Sequence, residues 1–151
     1  MSRSTARAAA MQLIFEDVLG GQGGDETREM IFEQLIGSLD EALLEKEVTA
    51  DDRLYMDEVI TGVMQHLPET DSLIEGFLVD WTLSRLSKVD LTILRLATYE
   101  ICHREDVPGS VAINEAVELA NRYSEPQSAR FINGVLGSIL RDKEKQERTC
   151  V

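Results

Sequence analysis

The sequence predicts an all-α protein, on its composition, on the spacing of its apolar residues and on its size. Ala, Leu, Glu, Ile and Val dominate, aromatics make up 5%, and 151 residues hold only three prolines and ten glycines. That mix favours helices over a sandwich or barrel. Apolar residues recur at three- and four-residue steps through most of the chain, the repeat of a buried helix face. At 43% hydrophobic and 28% charged, the chain has the material for a genuine core in one or at most two small domains.

Taken in order, the first helix is expected to start near Ser4 or Thr5, either of which can cap it, and to run to Leu19. GGQGGD at 20–25 stops it as a flexible linker, and a second helix of about 20 residues follows through Ile31, Leu35, Leu39 and Leu43. A third, capped by Asp51 and carrying Met56, Val59, Ile60 and Val63, is expected to end at Pro68. The fourth covers about Glu69 to Val79, and Trp81, Leu83 and Leu86 sit in a short bridging turn or helix. Val89 to Cys102 leave little polar face, so that helix is expected at the centre of the bundle. REDVPG separates it from a helix over about Ser110–Tyr123, and SEPQ from a last one over about Gln127–Arg141, where Gly134 and Gly137 offer a close helix approach. The tail DKEKQERTCV is charged and expected to fray. The organisation read from this is an N-terminal subdomain 1–67, a C-terminal subdomain 68–141 and a tail 142–151.

Charge is unevenly distributed. The formal net charge is −13, yet residues 1–15 hold Arg3 and Arg7 and no acid. Residues 16–80 hold 18 acids against 3 bases, and residues 81–151 hold 10 of each. The overall value argues against a polyanion partner, because phosphate binding rests on cations that displace counterions. The distribution instead offers mildly basic ends for a polyanion and an acidic middle for a basic protein. Cys102 and Cys150 make neither a disulfide framework nor a CxxC clip, which fits a reducing cytosol. No apolar run approaches the roughly 18 residues of a membrane span, and the N-terminus lacks a signal peptide's apolar stretch, so no membrane role and a cytoplasmic location are expected.

Catalytic patterns are not found. His66 and His103 lie near the ends of two different predicted helices with no ligand-spaced partner, so neither a metal nor a cofactor is expected, and the helix dipole accounts for both imidazoles. GGQGG has no preceding strand and no Walker lysine, and no carboxylate pair stands in an apolar run that would split its pKa values.

Three blocks are distinctive: WTLSRLSKVDLTILRLATYEI at 81–101, VPGSVAINEAVELANRYS at 107–124 and SARFINGVLGSIL at 128–140. With ARAAAMQLIF at 6–15 they resemble the NusB family. The resemblance implies a bundle of about seven helices, an N-terminal group of three packed on a C-terminal group. It also implies a transcription antitermination factor that performs no reaction. Such a factor pairs with NusE, a small-subunit ribosomal protein, binds the single-stranded boxA element of nascent ribosomal RNA, and joins other Nus factors on RNA polymerase.

Carried over residue by residue, Arg7 matches an arginine of the family's RNA-binding first helix and Arg3 falls in its arginine-rich arm, although S-R-S-T-A-R holds only two cations. Gln12 matches a glutamine that either donates to RNA or bonds across helices. Arg130 and Phe131 match a basic-aromatic pair in which a guanidinium meets phosphate and a ring stacks on an unpaired base, the alternative for Phe131 being a place in the core. Tyr123 either extends this surface or closes its helix. Phe15 and Asp90 match the NusE contact, or are core and helix cap respectively. Arg95, Glu100, Asn114, Glu115 and Asn133 are expected to hydrogen-bond between helices. Two other readings stand beside this one: a NusB-like domain of the kind fused to ribosomal RNA methyltransferases, and a helical scaffold that forms homodimers without binding RNA.

Overall fold

The computed structural model describes residues 2–18, 48–79 and 81–149. Among the described residues are α1 (Arg3–Val18), α2 (Ala50–Gln65), α3 (Leu67–Gly76), a 3-10 turn (Leu83–Arg85), α4 (Lys88–His103), α5 (Gly109–Tyr123) and α6 (Ser128–Thr149), with no strand. The all-α expectation holds. The expected second helix and the GGQGGD linker lie outside the described residues. No described helix is long and apolar enough to cross a membrane. The chain divides into two compact units, Met1–Met64 and Gln65–Val151.

In the first unit, α1 is capped by Ser2 rather than by Ser4 or Thr5. Ser2 Oγ accepts the Thr5 N–H at 3.1 Å, and the Ser2 carbonyl accepts the first intrahelical bond from Ala6 at 3.0 Å. Four alanines, Ala6, Ala8, Ala9 and Ala10, lie in a continuous buried run from Thr5 to Met11 that includes Arg7. Burial on α1 therefore extends around more of the helix than one apolar stripe would cover. At α2 the cap is Thr49, not Asp51. Thr49 Oγ1 accepts the Asp52 N–H at 3.1 Å and Asp52 Oδ2 accepts the Thr49 N–H at 2.9 Å, a reciprocal capping box. Burial alone would raise the Asp52 carboxyl, but the hydrogen bonds from Thr49 help bring it below the ordinary carboxylate value. Tyr55, Met56, Val59, Ile60 and Val63 form the buried side of α2.

In the second unit, Pro68 opens α3 instead of closing α2. In a first turn its missing N–H removes no helical bond. Arg95 of α4 donates through Nε and Nη2 to both oxygens of Asp71 in α3, at 2.8 and 2.7 Å, the bidentate geometry that fixes two helices in register. Every residue from Asp90 to Thr98 is buried, so α4 is the central helix its apolar run predicts. α4, α5 and α6 pack against one another pairwise. They share a core that includes Ile93, Leu94, Leu96, Ala116, Leu119, Ile132, Leu136 and Ile139, each large aliphatic side chain contributing about 1.5–3 kcal/mol relative to exposure.

Three expectations are corrected in this unit. Asn114 and Asn133 are exposed, so they do not bridge helices as Arg95 does. A Cβ on Gly134 would meet nothing within 4 Å and one on Gly137 only the Arg141 side chain at 3.5 Å; the close approach is instead at Gly109, where a Cβ would lie 2.9 Å from Leu140 Cδ2. The charged tail continues α6 to Thr149. Lys143 Nζ donates to the Ile101 carbonyl near the end of α4 at 2.5 Å, satisfying a carbonyl of the last turn. Pairs Lys143–Glu147 (3.6 Å) and Gln146–Asp142 (3.1 Å), four residues apart, support the added turns.

Candidate nucleic-acid interface

The start of α4 and the α5–α6 turn are tied together by one carboxylate. Ser87 caps α4, its Oγ accepting the Asp90 N–H at 3.1 Å, which aims the Asp90 side chain out of the first helical turn. Ser124, an extended residue, ends α5, and Ser128 starts α6. Ser124 Oγ donates to Asp90 Oδ1, and Ser128 Oγ donates to Asp90 Oδ2 at 2.8 Å. With 9% of its surface exposed, Asp90 is a buried acceptor with both oxygens occupied.

Above this tie lies a groove of about 450 Å³, lined among others by Trp81, Arg85, Asp90, Glu125, Arg130 and Phe131. Trp81 is 52% exposed, Phe131 is half-buried, and Arg85 and Arg130 are exposed. Two carboxylates and two guanidinium groups line the groove, but the Asp90 charge is spent on hydroxyl groups below the surface. The accessible chemistry is thus an indole, a phenyl ring, two arginines and the exposed Glu125 carboxylate, which leaves the groove one positive charge in excess. Such a set can hold a planar base against a ring while a guanidinium meets phosphate.

Of the residues singled out in the sequence, the structure brings Arg130, Phe131 and Asp90 together here. Tyr123 is half-buried at the end of α5 and does not line the groove. In the first unit the Arg3 guanidinium lies 4.1 Å from the centre of the Tyr55 ring and 3.7 Å from the Asp51 carboxylate. Arg7, 4% exposed, lies 5.6 Å from the same ring. Arg7 is therefore an interior cation held by an aromatic face rather than a solvent-facing arm, because a run of alanines draws this stretch of helix inward. Gln12 and Phe15 are half-buried.

Trp81 and Arg85 were not among the expected contacts. The sequence shows them as part of a bridging segment; only the fold sets that segment beside Phe131. The one available signal is that Trp81 is the sole tryptophan of the chain.

The expectation that the two histidines are unrelated is also corrected. His66 precedes α3 and His103 ends α4, yet their rings stack at 4.1 Å between centroids, with Tyr99 5.4 Å from His103. Glu69 Oε2 lies 3.5 Å from His66 Nδ1. Burial lowers the His103 pKa, and His66 and Lys143 push it further in the same direction against Glu69. Burial likewise raises the neighbouring Cys102 thiol, against an opposing pull from Lys143.

The model of the NusB family matches residues 4–141. A transcription antitermination protein NusB of Acetivibrio thermocellus is 43% identical over 143 residues, 95% of this chain and 91% of its own length. One of Clostridium botulinum (strain Kyoto) is 42% identical over 146 residues, 93% of this chain and all of its own. Among solved structures, NusB of T. maritima superposes with a TM-score of 0.77 at 34% identity, covering 97% of this chain and 98% of that one. A chain of the crystal structure of antitermination factors NusB and NusE in complex with dsRNA superposes at 0.73 with 24% identity, covering 93% and 96%, a likeness of fold.

Proposed function

The chain belongs to the NusB family of transcription antitermination proteins, which are not enzymes, and from that premise we propose that it pairs with NusE and binds boxA RNA of nascent ribosomal transcripts. The pair then joins other Nus factors on RNA polymerase in the cytoplasm and suppresses premature termination.

The observation that carries the RNA reading is the groove of Trp81, Arg85, Arg130 and Phe131. It is built from two of the sequence blocks that resemble the family, and its exposed indole, half-buried phenyl ring and exposed guanidinium groups fit an unpaired base and its phosphate better than a helix face. In the first unit Arg3 is the accessible cation of α1 and serves as a further phosphate contact, with Gln12 as a donor; in the second unit Tyr123 adds a contact outside the groove. Arg7 acts beneath Arg3, keeping Tyr55 under the Arg3 guanidinium. Phe15 faces NusE, and the acidic middle segment steers that basic partner. Asp90 supports this from inside by holding the two sides of the groove together.

Fluorescence anisotropy of a short boxA-like RNA, titrated with this protein alone and with NusE, tests the proposal. Weak binding alone and specific binding with NusE are expected, with a duplex of the same sequence competing poorly. Trp81→Ala and Phe131→Ala should each weaken the heterodimer's affinity by about 1–3 kcal/mol per lost stacking contact. Unchanged affinity in both folded variants refutes the groove; absence of a one-to-one complex with NusE refutes the pairing.

A further inference from the structure

We propose that His66, Glu69 and His103 form a binding site for a divalent transition-metal ion of the zinc class, at the junction of α3 and α4. One ligand atom from each residue lies within 4.8 Å of the other two. Tetrahedral zinc with bonds of about 2.0–2.2 Å requires ligand atoms roughly 3.3 Å apart, so the three donors have only to draw together. Glu69 and His103 are exposed and His66 is half-buried, so their side chains can turn without disturbing the core. His66 and Glu69 are three apart at the start of α3, the spacing that puts two side chains on one face. His103 meets them from the end of α4.

The chemistry of the donors selects the ion. Two imidazoles and one carboxylate suit zinc, nickel or copper, whereas calcium and magnesium require more oxygen donors than this cluster holds. Of the nearby groups, the Lys143 ammonium opposes a cation and the Glu69 carboxylate attracts one. The Cys102 thiol is not among the converging donors. Three protein ligands leave the fourth position of a tetrahedral ion to water. A bound ion would clasp the beginning of α3 to the end of α4, beyond the Arg95–Asp71 pair that already joins these helices.

The chain has only two histidines, which makes the test direct. The full-length protein is stripped with EDTA, dialysed and titrated with zinc chloride by calorimetry, while NMR follows the two imidazole C–H signals. One ion should bind per chain with micromolar affinity, both signals should shift in step, and the melting temperature should rise. Magnesium chloride should do none of these. His103→Asn and Glu69→Gln should each lose affinity tenfold or more, with helicity unchanged by circular dichroism. The NMR titration of the unsubstituted chain needs no variant and keeps the proposal falsifiable should one fail to fold. Movement of only one histidine, equal zinc affinity in His103→Asn, or loss of zinc binding in Cys102→Ser/Cys150→Ser overturns it.

Discussion

Replacing Asp90 with alanine separates two roles for this carboxylate, a direct contact to the ribosomal partner and an internal tie beneath the groove. In the structure it accepts from Ser124 and Ser128 and sits in the first turn of α4. Hydrogen bonds to an ionised group contribute about 1.5–3 kcal/mol each, and a carboxylate near a helix N-terminus about 0.3–1 kcal/mol. Ser124 is half-buried and regains water when its acceptor goes, so its bond counts at the low end. Ser128 is 5% exposed but keeps the Ser124 hydroxyl at 3.1 Å, so its bond also counts at the low end. The expected loss for Asp90→Ala is therefore about 3–4 kcal/mol. At roughly 2–4 °C per kcal/mol for a chain of this size, the melting temperature should fall by about 10 °C. Asp90→Asn should lose about half as much, because the amide oxygen still accepts from one serine while its NH2 can donate to the other. Urea denaturation and scanning calorimetry measure both variants. If Asp90→Ala melts within 2 °C of the wild type, estimated at under about 1 kcal/mol, the tie is refuted. Should that same variant lose NusE affinity tenfold, the carboxylate is a partner contact.

The remaining expectations concern single side chains. Asp71→Ala should destabilise the protein by about 3 kcal/mol in urea denaturation, since it leaves the Arg95 guanidinium buried and unpaired, whereas replacing both partners with Met and Leu should cost far less. Equal losses in the two variants would contradict this. Gly134→Ala should stabilise α6 by up to about 1 kcal/mol, because the added methyl group meets no neighbour; a lower urea midpoint would show an unrecognised clash. The folded chain holds the His103 pKa down, so the unfolded chain takes up that proton first as pH falls. The contribution is full above the unfolded value of 6.5 and is lost as pH falls through the lower folded value. Between pH 7 and pH 5.5 the melting temperature should fall less steeply in His103→Asn than in wild type, and a steeper fall would reverse the assignment. Arg130→Ala should reduce the magnitude of the log-log salt slope of RNA binding by about 0.7, the share of one single-strand phosphate contact. A slope that does not change places Arg130 away from the RNA.

The sequence by itself determined the helical class, the central place of Val89–Cys102 and the family. These rest on apolar periodicity and on residue strings, both of which are local properties of the chain. It also marked Arg130 and Phe131 beside each other, since neighbours in one helix need no fold to bring them together. Helix boundaries were less legible, because caps depend on which hydroxyl or carboxylate reaches a free N–H. Ser2 and Thr49 win over the equally plausible Ser4, Thr5 and Asp51 by geometry alone. Pro68 ends or begins a helix according to where the chain turns, and the charged tail is helical because its side chains find partners four residues away and on α4. Only the tertiary structure set Trp81 and Arg85 opposite Phe131, turned Arg7 inward onto Tyr55, and stacked His66 on His103. Each of these joins residues that are distant in sequence, and their proximity is decided by how helices pack, a property that no single helix's periodicity contains.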